Sequence, residues 1–139
     1  MLNKSSMVLL IDNDAFSNAT LSHELRKLKI ADSTICTTSV SNAMAYLHKQ
    51  LNCNYPFPSY IFYNPHKMEL SVSDFIGSMK IAFGNQCNTK LILVEEKTTE
   101  VDRASISDNT DIHGFIKKPI STEQVLHLFR SKLKKPIHT

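Results

Sequence analysis

Seven polar side chains stand just behind short apolar runs, and they are the residues whose types could do chemistry. Asp12, Asn13 and Asp14 follow Met7 to Ile11; Asn64 follows Tyr60 to Tyr63; Glu95 and Glu96 follow Lys90 to Val94; Lys118 follows Gly114 to Ile116 with only Lys117 between. Carboxylates gathered around a lysine form an ion-pair network, and a lysine at a partly buried strand end needs an anionic partner. The amide of Asn64 donates and accepts hydrogen bonds but carries no charge near neutrality. Charge balance leads to the expectation of an Asp12–Lys118–Glu95 cluster that holds one conformation by itself.

These residues meet only if the runs before them are parallel neighbours in one sheet. Met7 to Ile11 is continuously apolar, as in a parallel strand covered on both faces. Ser33 to Thr37, Tyr60 to Tyr63, Lys90 to Val94 and Gly114 to Ile116 read as four more strands. Between them, apolar residues recur at helical spacing: Ala15 to Leu28, Val40 to Leu51, Val72 to Phe83, and Val125 to Leu133. Ser39 or Ser41, Ser73, and Ser121 or Thr122 are the expected N-caps, and Gly84-Asn85 ends the third helix. Thr98 to His113 has only a thin apolar face in Val101, Ala104 and Ile106, which predicts a short helix and a polar loop. Strand and helix alternate throughout, so the expected fold is an α/β parallel sheet with helices on both faces. In such a sheet, ligand chemistry gathers outside the carboxyl ends of the strands.

Composition narrows the function. A chain of 139 residues, 42% hydrophobic and 21% charged, suits a single domain over residues 1–139 with its core at about 7–133. No apolar run approaches the ~18 residues of a membrane span, and the start lacks the apolar region of a signal peptide. Cys36, Cys53 and Cys87 are odd in number and scattered, which fits free thiols in the cytoplasm. The net charge of +3 lies largely in Arg130, Lys132, Lys134 and Lys135, where it complements a helix dipole; without a recognition motif it predicts no nucleic-acid binding. There is no nucleophile–base constellation and only three glycines for a phosphate loop, so an enzyme is not expected. His66 and His113 lack metal-ligand spacing, and a zinc site built from them with Asp12 is not expected.

The ordered set of Val8 to Asp14, Tyr60 to Asn64, Lys90 to Glu95 and Gly114 to Pro119 resembles the receiver domain of two-component response regulators. The resemblance runs from about Met7 to Leu133. It implies a flavodoxin-like sheet of order 2-1-3-4-5. It also implies phosphoryl transfer from a histidine kinase to an aspartate after the third strand, with Mg²⁺ held by an acidic pair after the first. A Thr or Ser after the fourth strand and a Lys after the fifth would contact the phosphoryl group. Position by position, Asp12 fits the acidic pair while Asn13 takes its second place, and Asn64 takes the phosphoacceptor place. Glu95 falls on the hydroxyl position, Lys118 fits the lysine, and Phe115 fits the switch aromatic.

The departures point one way. An amide lacks the anionic oxygen that attacks phosphorus. Mg²⁺ favours carboxylates, so its binding is expected to be weakened, and Asp12 is expected to pair with Lys118 rather than to serve as a metal ligand. Glu95 would repel a phosphate. Deamidation of Asn64 by the usual route needs the next backbone N–H, and Pro65 has none. Asp14, the nearest spare acceptor, is expected to open a helix instead. The expected function is therefore an atypical stand-alone receiver in phosphorelay signalling, not phosphorylated at Asn64. It would act by protein–protein interaction with a signalling protein, a histidine kinase or a downstream effector, through Val101 to Leu133; a homodimer stays open. The alternatives are a phosphoacceptor receiver using another residue, and a flavodoxin-like cofactor binder, whose phosphate loop Asp12-Asn13-Asp14 would oppose. No cofactor is expected.

Overall fold

The structure, a computed structural model, describes residues 5–84, 88–96 and 111–134. Five strands, β1 (Ser5–Ile11), β2 (Ala31–Thr37), β3 (Tyr60–Tyr63), β4 (Lys90–Glu95) and β5 (Ile112–Lys117), form one parallel sheet of order β2-β1-β3-β4-β5. Four helices are described: α1 (Ala15–Lys27), α2 (Val40–Asn52), α3 (Val72–Phe83) and α4 (Thr122–Lys134). This is the expected flavodoxin-like, three-layer α/β arrangement.

Alternation along the strands divides the core into two halves. Leu9, Ile11, Ile61, Tyr63, Leu91 and Leu93 face α2 and α3, where they meet Ala43, Leu47, Phe75 and Phe83. Val8, Leu10, Phe62, Ile92, Val94 and Ile116 face α1 and α4, where they meet Leu21, Leu25, Val125 and Phe129. The central strands are therefore apolar on both sides, which explains why they read as unbroken apolar runs. On the first face the Tyr63 and Phe75 rings stack with centroids 4.3 Å apart. Burial pushes the Tyr63 phenol up to about 12, and its hydroxyl donates to the Leu70 carbonyl at 2.5 Å.

The helix starts are set by side chains that accept otherwise orphaned N–H groups. Asp14 caps α1 by accepting from the Phe16 N–H, and Ser39 caps α2 by accepting from that of Asn42. Ser121 Oγ accepts from the Gln124 N–H at the start of α4. For α3 the cap is Ser71, which accepts from the Asp74 N–H, rather than the expected Ser73, which lies inside the first turn. Gly84, at φ 51°, ends α3 in a backbone conformation that disfavours other side chains. Strand β2 begins at Ala31, two residues before the expected Ser33, because pairing with β1 continues back to Ser5. Strand β5 also extends beyond its expected ends, so His113 lies within it. The expected helix and loop after Glu96 fall almost wholly on residues 97–110, outside the described residues, as do Asn85 and Cys87; Cys36 and Cys53 are free thiols. Among the described residues, no helix is long and apolar enough to cross a membrane.

Candidate functional site

Strand order reverses at β1, which pairs with β2 on one side and β3 on the other, and the polar residues collect just beyond that point. Register brings them together. Ile11 is opposite Tyr63, so Asp12 follows beside Asn64; Glu95 is opposite Lys117, so Glu96 follows beside Lys118. The backbone continues the pattern: the Asn64 N–H donates to the Ile11 carbonyl at 2.9 Å, and the Lys118 N–H donates to the Glu95 carbonyl at 2.8 Å. The Lys118–Pro119 peptide bond is cis.

The side chains form a network of four groups. Asn64, only 1% exposed, donates its Nδ2 hydrogens to Asp12 Oδ2 at 3.2 Å and to Glu96 Oε2 at 2.5 Å. Its Oδ1 turns away and accepts the His66 backbone N–H at 3.0 Å. Two anionic acceptors demand a donor between them, which sets the orientation of the amide. The Lys118 ammonium lies 3.1 Å from Asp12 Oδ2 and 2.8 Å from Glu96 Oε2. Asp12 Oδ1 also accepts the Asp14 backbone N–H at 2.9 Å.

Electrostatics follow from these contacts. Burial pushes the Glu96 carboxyl up, but hydrogen bonds from Lys118 and Asn64 outweigh it and hold the group below its ordinary range. Burial pulls Lys118 down, yet its bonds to Glu96 and Asp12 outweigh this and raise it. Asp14 is held low, chiefly by the Phe16 N–H. Both its oxygens are engaged at the helix start, Oδ1 by that N–H and Oδ2 by the Ser17 hydroxyl at 3.2 Å.

The second carboxylate on Lys118 is thus Glu96, one residue beyond the expected Glu95. Alternation places Glu95 on the face of Leu91 and Leu93, where it is buried at 3% exposure, whereas Glu96 stands past the strand end over the cleft. The doubled glutamate was the visible signal, but which of the pair reaches the lysine depends on where the strand stops. Asn13 is exposed and lines the same open cleft of about 410 Å³, with Asp12, Asp14, His66, Glu96 and Lys118. Phe115 packs, partly buried, against the core beneath α2 and α3. His66 and His113 line different clefts, so they do not converge.

Two supporting residues carried no sequence signal. Asn18 is buried at 3% and donates Nδ2 to the Asp12 and Thr37 carbonyls, at 3.3 and 3.0 Å, bracing the turn that presents Asp12. Glu69, in the loop after Asn64, accepts the Val40 and Ser41 N–H groups at 2.8 and 3.2 Å and so tethers that loop to the start of α2.

Mg²⁺ takes hard oxygen donors in near-octahedral geometry. Here Asn64 turns N–H groups inward, Asn13 offers no charge, and both Asp12 oxygens already accept hydrogen bonds. The Lys118 ammonium engages Asp12 Oδ2 and Glu96 Oε2, and position 64 supplies a donor in place of an oxygen, so the described residues do not present the oxygen set the ion takes.

No protein-family model matches the sequence, and neither does any curated protein. Solved structures do. A two-component response regulator from Cytophaga hutchinsonii is 20% identical with a TM-score of 0.79, covering 95% of this chain and 99% of that one. The signal receiver domain of a Luxo repressor protein from Vibrio parahaemolyticus is 17% identical with a TM-score of 0.67, covering 96% and 98%. A CheY-like response regulator receiver domain protein from Methanospirillum hungatei is 13% identical with a TM-score of 0.67, over the same 96% and 98%. These likenesses span nearly all of the chain and agree with the strand order, so this protein has the fold of response-regulator receiver domains.

Proposed function

We propose that this chain is an atypical receiver domain in two-component signalling, one that acts by protein–protein interaction and takes no phosphoryl group at Asn64. The observation that carries this reading is the direction of the Asn64 amide: its donor face points into the site at Asp12 and Glu96, and its oxygen is turned to the His66 N–H. Phosphoryl acceptance needs an anionic oxygen presented to phosphorus. A neutral amide that donates from that position gives phosphorus no attacking oxygen, and the Asp12 and Glu96 carboxylates beside it repel a phosphate. Asp14 is engaged in capping α1, which argues against it as a substitute acceptor.

Output would then come from docking. The partner class is a signalling protein, a histidine kinase or an effector, and the surface proposed for it is the region 101–133, of which residues 111–133 are described and include β5 and most of α4. The test is intact-mass measurement after incubation with acetyl phosphate and Mg²⁺, with a phosphorylatable receiver as positive control. An unchanged mass is expected. A single phosphoryl adduct on the native chain would overturn the reading.

A further inference from the structure

Two donors from different strand ends converge on one oxygen. Asn64 Nδ2, after β3, and Lys118 Nζ, after β5, lie 2.5 and 2.8 Å from Glu96 Oε2. Asn64 is 1% exposed, and the Lys118 side chain 12%. That oxygen comes from outside: the Glu96 side chain is 24% exposed and stands past the end of β4. Asp12 cannot take its place, because its oxygens already accept from Asp14, Asn64 and Lys118. Without Glu96, the Asn64 hydrogen and the part of the ammonium that it engages would lose the acceptor they share among the described residues. The remaining Asp12–Lys118 pair would be neutral, so a small anion entering there would meet no net repulsion.

We infer, building on the non-phosphorylated reading of this pocket, that Asn64 and Lys118 form a carboxylate-binding site whose resident ligand is the chain's own Glu96. The pocket is filled from within. Tethering gives Glu96 a high effective concentration, so free anions do not displace it. Its carboxylate joins the ends of β3 and β5 to the chain leaving β4, and the domain is held in one arrangement with no covalent signal. With the side chain truncated, the site takes a free monocarboxylate of the same chemistry.

The probe is acetate. Glu96→Ala is melted in matched concentrations of sodium acetate and sodium chloride, beside the native chain and the Glu96→Ala/Lys118→Met double variant. Expected is a Tm increase of a few degrees in acetate over chloride for Glu96→Ala alone. Equal melting in both salts for Glu96→Ala, or an equal acetate effect in all the chains, overturns the inference. If Glu96→Ala does not fold, the Asn64 side-chain amide protons serve instead. In the native chain they shift as Glu96 is protonated, and in Glu96→Gln that step is missing; an identical acid titration in both chains overturns it. Neither readout involves phosphoryl transfer, so a phosphoryl adduct in the mass experiment and a failure of acetate rescue remain separate results.

Discussion

Asn64 and Glu96, separated by 32 residues, are joined by a 2.5 Å hydrogen bond in which the amide donates and the carboxylate accepts. The same Glu96 oxygen lies 2.8 Å from the Lys118 ammonium. An amide at position 64 is therefore an integral part of the charge arrangement: it is the neutral donor that lets two carboxylates share one lysine.

Asn64→Asp should accordingly destabilise the domain. It replaces a donor with a third carboxylate beside Asp12 and Glu96, with a single lysine to balance them. The expected loss is about 1–3 kcal/mol near neutral pH in chelator, read from urea denaturation. Mg²⁺ should recover part of that loss in the variant and leave the native chain unchanged, since only the variant presents a carboxylate oxygen at position 64. A variant as stable as the native chain in chelator would contradict the network.

Lys118→Met leaves Asp12 and Glu96 without their common cation, and Asp12 is buried. Removing one member of a largely buried pair strands the others, so a cost of about 2–4 kcal/mol is expected. Glu96→Gln keeps size and an acceptor oxygen, and should cost less, about 0.5–1.5 kcal/mol. The check is the order of the urea midpoints: native highest, then Glu96→Gln, then Lys118→Met.

The same contacts predict a stability plateau with two flanks. Glu96 titrates below its ordinary 4.5 in the folded chain, so its contribution is present above that value and is lost as pH falls through the folded pKa. Lys118 titrates above its ordinary 10.5, so its contribution is full below that value and is lost as pH rises through the folded pKa. Tyr63, pushed up to about 12, acts in the same direction on the alkaline side. Thermal melts across pH should show that Glu96→Gln flattens the acid flank, and that Tyr63→Phe flattens the alkaline one.

Glu69→Ala removes an acceptor from two N–H groups at the start of α2 and unties the loop that follows Asn64. Ser39 still caps the helix, so the expected loss is about 1 kcal/mol, from cap energetics alone. Amide hydrogen exchange should rise at Val40 and Ser41 and in residues 65–70, with β3 itself unchanged.

Legibility in the sequence tracked the range of the interactions involved. Apolar runs such as Val8 to Ile11 announced central strands because both their faces are covered, and the helices of α1 to α3 announced themselves by spacing. Errors came where a neighbour far along the chain decides the outcome. Ala31 and Asp32 look like loop residues, yet the strand starts there because β1 pairs that far back. The start of α3 differed locally: Ser73 was the expected cap, but the helix begins at Val72 and Ser71 accepts the Asp74 N–H.

The candidate site divides in the same way. That an amide, an aspartate and a lysine stand behind parallel strands was determined by residue order alone, since hydrophobic patterning sets which residues end each strand. Which glutamate reaches Lys118, which way the Asn64 amide turns, and that Glu69 reaches back to Val40 were decided only by the tertiary structure. Each depends on strand register and on side chains tens of residues apart meeting within hydrogen-bonding distance, and a linear pattern carries no record of either.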